Sequence, residues 1–307
     1  MGIIAKGTSS FQTFRGITLQ AVTWGTDLPS AHRILALHGW LDNCATWDLF
    51  LDRVFRLHPN LFYVVVIDLA GHGKSDHRHK EANYLMYNYV EDVVAVLEAL
   101  DWPSFSLLGH SMGAAICCLV SSLLSKNVKS LTAIEALGPI VHPSTSFDDA
   151  EKGIAFRRRT AKQSNLSEFS SIDHVVKVRM ETGLHFVSET GTRLLVERGV
   201  VETKAGVFSW SSDPVVVKNS PIRYKEEDVH SFLGRIECPV LNIYGNKGLY
   251  TWFNKKGFGD RAKHVKNLKV VHMNGSHHLH LEPDTVAAVV DSFLDFMINI
   301  ILKKSKL

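Results

Sequence analysis

The pentapeptide Gly109-His110-Ser111-Met112-Gly113 sets a serine between two glycines, directly after the apolar run Phe105 to Leu108 and before Ala114 to Leu119, a helical stretch with no breaker. In a Gly-x-Ser-x-Gly turn between a strand and a helix, the serine sits at a strained corner that lifts its hydroxyl above the sheet edge. The pentapeptide alone arises often by chance. Its strand-turn-helix setting is what favours a nucleophile over a structural turn. A serine hydroxyl attacks poorly until a base accepts its proton, so one of the sixteen histidines must return to the same edge. His277 is favoured because Asn274-Gly275-Ser276-His277 follows the last strand-like run at once; His278 and His280 are rivals on the same loop.

The surrounding pattern predicts the elements that would hold these groups. Phe14 to Gly25 alternates loosely as a strand pair, and Ile34 to Leu37 is a short apolar run. Leu61 to Ile67 is nearly all apolar and β-branched, as expected for a parallel strand buried on both faces. Apolar residues at Val90, Val93, Val94, Leu97 and Leu100 keep helical spacing, and strand character returns at Ser104 to Leu108 and Ser130 to Ala136. Strands alternating with helices imply an α/β fold, a mostly parallel sheet flanked by helices. The alternation stops near Gly138 and resumes at Val240 to Tyr244 and Leu268 to Met273, before a helix over Asp284 to Leu302. This predicts a core of residues 1–137 and 236–307, split by a mainly helical inserted cap over 138–235.

Composition narrows the classes of function. With 307 residues, 45% apolar and 21% charged, the chain is long enough for an ample core without staples. A formal charge of +3, dispersed, does not suggest nucleic-acid binding, which concentrates Lys and Arg on one face. Thr285 to Leu302 is interrupted by Asp291 and Asp295 and reads as a packed helix, not a membrane span. Cys44, Cys117, Cys118 and Cys238 lack a C-x-x-C spacing and read as buried thiols in a reducing compartment. Met1 to Phe11 has no signal-peptide run, so secretion is not expected. Ser305-Lys306-Leu307 matches the address read by the peroxisomal import receptor, which makes the peroxisome the expected location, with cytoplasm as the alternative.

Taken together, His38-Gly39-Trp40, Asp68-x-x-Gly71-His72-Gly73-x-Ser75, Gly109-His110-Ser111-Met112-Gly113 and Gly275-x-His277 resemble the α/β-hydrolase superfamily. Within it they look most like the serine hydrolase-like (kraken-type) proteins. The motifs span nearly the whole chain outside the cap and are specific only as a set. The resemblance implies the α/β-hydrolase fold and an oxyanion hole from the backbone N–H groups of Trp40 and Met112, with His38 holding its loop. It also exposes a departure. In most of the superfamily the triad acid follows the strand that here ends at Tyr244-Gly245, but Gly245 to Thr251 contains no Asp or Glu. Some members carry the acid one strand earlier, where Glu135 stands in Thr132-Ala133-Ile134-Glu135-Ala136. A glutamate at an apolar strand end is costly to bury without a partner, and His277 would be one. Asp260 is the other candidate acid; a dyad or an inactive relative is the remaining possibility.

Other constellations carry less. Gly71 to Ser75 resembles the end of a phosphate-binding loop, but the glycine that such a loop needs is Asp68. Arg157-Arg158-Arg159 could meet an acidic substrate or form a solvated helix face. Phe156, Phe186, Phe208 and Trp210 could line a pocket or bury the cap. No carboxylate or cysteine cluster completes a metal set with His277, His278 and His280, so neither metal nor cofactor is expected. The expected function is hydrolysis of an ester or thioester of a small-molecule acyl substrate, with Ser111 as nucleophile, His277 as base and Glu135 as orienting acid. The alternative is a non-catalytic binding or scaffold protein on the same shell, which the missing acid after Gly245 favours.

Overall fold

Each central strand is buried on both faces, and its alternate residues feed two separate cores. In the computed structural model, which describes residues 6–79, 82–141, 147–148, 151–152, 154–155, 167–183, 185–216, 224–249 and 255–304, the first strands are β1 (Lys6–Gln12), β2 (Thr18–Trp24), β3 (His32–Leu37) and β4 (Phe62–Ile67). They are followed by β5 (Phe105–His110), β6 (Val128–Ile134), the short pair β7 (Val200–Lys204) and β8 (Val207–Trp210), then β9 (Val240–Lys247) and β10 (Leu268–Ser276). The main sheet has eight strands in the order β1-β2-β4-β3-β5-β6-β9-β10. Strands β1, β2 and β4 pair antiparallel; from β4 onward all pairs are parallel. The period of two along a strand sends Leu35, Leu37, Val65 and Ile67 to one face and Ile34, Ala36, Val64 and Val66 to the other.

Helices close both faces. Helix α2 (Met86–Leu100) and helix α3 (Met112–Leu123) cover the first face with Val90, Val93, Val96 and Leu97 and with Ile116 and Val120. On the second face lie α1 (Asp48–Leu57), through Phe50, Leu51, Val54 and Phe55, and α8 (Val286–Lys304), through Val289, Val290, Phe293 and Met297. Between β6 and β9 come α4 (Ile172–Thr182), α5 (Glu189–Gly199), the β7–β8 hairpin and α6 (Glu226–Leu233), with α7 (Lys255–Ala262) after β9. Val229 and Leu233 of α6 join the core beneath α2 and α3. Phe169, Val175, Val176 and Val196 form a small cluster of their own, against which Phe208 and Trp210 pack. Among the described residues no helix is long and apolar enough to cross a membrane.

The amino-terminal hairpin begins earlier than the alternation over Phe14 to Gly25 suggests. Its turn runs from Thr13 to Ile17, with Gly16 at φ 72°, and Phe14 lies exposed in it. Strand β1 has almost no buried side chains, so it left no hydrophobic pattern to read.

The parallel strands bring their carboxyl ends to one edge, so residues that follow β3, β5, β6, β9 and β10 meet there. The two glycines around Ser111 make this possible by allowing close packing. A Cβ on Gly113 would come within 2.4 Å of the Leu37 carbonyl oxygen, and one on Gly109 within 2.6 Å of the Ala114 backbone. Gly113→Ala should therefore push α3 off β3 and cost about 1–3 kcal/mol. Urea unfolding measures this, and an unchanged midpoint would show that the helix start has room to spare.

Candidate active site

Ser111 stands at the junction of β5 and α3 with φ 50° and ψ −115°, a backbone conformation that non-glycine residues seldom adopt. Strain of this kind costs roughly 1–3 kcal/mol and persists only where the surroundings enforce it. Here the turn is pinned by the Ser111 N–H, which donates to the Ile134 carbonyl at 2.9 Å, and by the Ala115 N–H, which donates back to the Ser111 carbonyl at 3.0 Å. Met112 opens α3, so its N–H belongs to the first turn, where no intrahelical acceptor exists and the helix dipole favours negative charge. Trp40 follows β3 on the same edge; its indole Nε1 donates to the Val216 carbonyl at 3.1 Å.

Glu135 comes one residue after β6, with φ 62° and only 1% exposure. Its carboxylate is fully engaged. Oε1 accepts from the Gly245 N–H at 2.6 Å, and Oε2 accepts from the Leu249 N–H at 2.6 Å and from Nδ1 of His277 at 2.9 Å. The acid-free turn after β9 thus wraps around an acid supplied by the neighbouring strand. Gly248 is obligatory there, because a Cβ would fall 2.1 Å from Oε2. Burial pushes the Glu135 carboxyl up to about 7, against the opposing pull of the Gly245 and Leu249 N–H groups. His277 is likewise buried, and burial, reinforced by the nearby His110, His278 and His185 rings, holds its imidazole well below the ordinary range. It is therefore neutral at neutral pH, the state in which it can accept a proton.

His277 is bound to the serine turn through its neighbour. Nε2 of His110 donates to the His277 carbonyl at 2.9 Å, and the two rings lie 4.7 Å apart between centroids. The other histidines of this loop point into a different network. Nε2 of His278 lies 3.2 Å from Asp42 Oδ2, and Nε2 of His280 lies 3.0 Å from Thr46 Oγ1. Asp260 sits on α7, where it accepts from Lys263 Nζ at 2.8 Å, while the His277 Nδ1 bond goes to Glu135. His38 bridges its own loop: Nε2 accepts from the Leu69 N–H at 2.9 Å, which leaves Nδ1 to donate to the Gly39 carbonyl at 2.7 Å.

The phosphate-loop likeness of Gly71 to Ser75 has a different explanation. The concavity is filled by the protein's own acid, since Asp68 accepts from the N–H groups of Lys74 at 2.8 Å and Cys44 at 2.7 Å. Arg198 of α5 reaches the same carboxylate at 2.8 Å. Phe208 and Trp210 pack within the segment between β6 and β9, while Phe186 is 69% exposed. Phe156, Arg157, Arg158, Arg159 and the tripeptide Ser305-Lys306-Leu307 lie outside the described residues. The four cysteines are buried and free.

Sequence reasoning missed a second set of buried charges. Asp42, on the loop after β3, is held by Arg179 of α4, whose Nη2 donates to Oδ1 at 2.8 Å while Nη1 donates to the Leu41 carbonyl at 3.2 Å. Burial raises the Asp42 carboxyl, but His278, His110 and Arg179 together outweigh it and hold it well below the usual range. Nothing local marks Asp42 or Arg179, because their partner is 137 positions away. Asp68 was visible only as part of a motif.

A model of the α/β-hydrolase fold family matches residues 33–284, and the chain belongs to that family. It is 30% identical to a serine hydrolase-like protein of Dictyostelium discoideum over 92% of this chain and 79% of the relative. A serine hydrolase-like protein of Danio rerio is 31% identical over 90% of this chain and 85% of its own. Among solved structures, a hypothetical protein of Pseudomonas aeruginosa superposes with a TM-score of 0.84 at 27% identity, covering 95% of this chain and 99% of that one.

The Asp68–Arg198 pair gives this edge a stability test. Removing one member of a buried pair strands the other charge, so Arg198→Met should destabilise by about 3–5 kcal/mol. Thermal unfolding measures it; a loss below about 1 kcal/mol would mean that the pair behaves as a surface bridge.

Proposed function

We propose that this chain is a serine hydrolase that cleaves an ester or thioester through an acyl-enzyme. The observation that carries the proposal is the His277 Nδ1 to Glu135 Oε2 hydrogen bond of 2.9 Å, at the sheet edge where Ser111 is held in its strained turn. In this scheme His277 takes the Ser111 proton as the hydroxyl attacks the acyl carbonyl, then returns it to the leaving group. Glu135 fixes the tautomer that leaves Nε2 free to act as base, and stabilises the imidazolium that forms. The N–H groups of Met112 and Trp40 receive the developing oxyanion, with the start of α3 adding its dipole. Water, activated by the same histidine, releases the acyl group.

The feature that favours the non-catalytic alternative is the missing acid after β9; the Glu135–His277 hydrogen bond supports the catalytic reading instead. A serine in place of an aspartate nucleophile also fits acyl transfer better than dehalogenation or epoxide opening. The terminal Ser305-Lys306-Leu307 is proposed as a peroxisomal address on its sequence match alone. A fluorescent fusion lacking those residues should lose punctate import, and import that persists without them would reject the address.

Ser111→Ala should abolish both p-nitrophenyl ester turnover and labelling by a fluorophosphonate probe; undiminished labelling would remove Ser111 from the mechanism. The pH profile provides a separate test. The Glu135 carboxyl sits at about 7, and once protonated it no longer accepts from the His277 Nδ1–H. Turnover should therefore fall as pH drops through about 7. Glu135→Gln should lose that limb and roughly 10³–10⁴ in kcat. A native limb at the ordinary carboxylate range, unchanged in Glu135→Gln, would assign the titration elsewhere.

A further inference from the structure

Next to the proposed triad, and not used by it, is a buried group formed by Asp42, His110 and His278, with exposures of 2%, 1% and 7%. One ligand atom from each lies within 4.8 Å of the others. His110 poses a question of proton accounting. Its Nε2 donates to the His277 carbonyl, so in the neutral imidazole Nδ1 carries a bare lone pair. That Nδ1 is buried without a hydrogen-bond partner and faces Asp42 Oδ2 at 3.5 Å. Exchanging the tautomer only moves the conflict, because Nε2 would then face a carbonyl oxygen. A neutral His110 is caught between two acceptors.

A cation between Nδ1 and Oδ2 would resolve this. We propose that Asp42 Oδ2, His110 Nδ1 and His278 Nε2 form a binding site for a divalent transition metal of the zinc class. With zinc–nitrogen and zinc–oxygen bonds of about 2.0–2.2 Å, the edge of a tetrahedral site is about 3.3–3.5 Å. The measured separations from Oδ2 are 3.5 Å to His110 and 3.2 Å to His278. The outer contacts match as well. A ligating histidine ordinarily gives its second N–H to a carbonyl or carboxylate, as His110 does to His277, and a ligating carboxylate is ordinarily hydrogen-bonded at its other oxygen, as Asp42 is by Arg179. Thr46 Oγ1 lies 3.4 Å from the ligating oxygen Oδ2 itself. His278 discriminates less, since its Nδ1 has no protein partner in either state.

Three protein ligands leave a fourth position for water, the arrangement of an open zinc site. From sequence no carboxylate completes a set with these histidines and no metal is expected; the fold supplies Asp42 from 236 positions before His278. The site does not depend on ester hydrolysis, since its ligands exclude Ser111, His277 and Glu135.

The full chain, stripped with a chelator and dialysed against zinc chloride, should retain about one zinc that His278→Gln and Asp42→Asn each weaken by more than about 100-fold. Cobalt(II) in its place should show the visible bands of a four-coordinate ion. Circular dichroism melts establish which variants are folded. The native protein supplies a readout that needs no variant: in nitrogen-15 spectra of the histidines, zinc should shift Nδ1 of His110 and Nε2 of His278. No retained zinc, retention undiminished in folded variants, or shifts confined to other histidines would each overturn the proposal, the first leaving a proton shared by His110 and Asp42 as what fills the gap.

Discussion

A carboxylate buried at 1% exposure cannot be left without hydrogen-bond partners, and the satisfaction of Glu135 organises the edge where the site lies. Three N–H groups converge on it, one from Gly245 near the end of β9, one from Leu249 just after it and one from His277. Each fixes something else. The Gly245 and Leu249 bonds determine the path of the turn and leave space only for a glycine at 248. The His277 bond determines which ring nitrogen carries the proton, and so which one faces away from Glu135. The Ser111 N–H closes the circuit by donating to Ile134, the residue before Glu135. The Ser111 turn, Glu135 and His277 are thus tied by consecutive backbone positions on adjacent strands.

The segment between β6 and β9 is attached by buried charge as well as apolar contact. Arg179 and Arg198, both on helices of that segment, reach Asp42 and Asp68 on loops that follow β3 and β4. A buried pair of this kind adds little net stability over an apolar replacement but penalises loss of either partner. It therefore fixes where the helices sit more than how tightly. Arg179 also takes the Leu41 carbonyl, so the loop carrying Trp40 is held from above by the same side chain.

Much of this was legible from sequence, for physical reasons. The central strands announce themselves because burial on both faces favours near-continuous apolar runs rich in β-branched residues, as in Phe62–Ile67. Ser111, His277 and Glu135 were legible because each follows a strand at once, so the topology fixes which edge it occupies. Strand β1 was not, since an exposed edge strand needs no apolar pattern. Nor were Asp42, Arg179 and Arg198, whose significance lies in partners far away in the chain. Nor was Gly248, because the demand on it comes from the distant Glu135 carboxylate, which occupies the space of its missing side chain.

The central claim is that an acid from the end of β6, not from the turn after β9, carries the hydrogen bond of His277. The most direct measurement is proton and nitrogen-15 magnetic resonance of the His277 Nδ1–H. The account predicts a strongly downfield hydrogen-bonded proton in the native chain that persists in Asp260→Asn and disappears in Glu135→Gln. The same proton surviving in Glu135→Gln, or vanishing in Asp260→Asn, would contradict it.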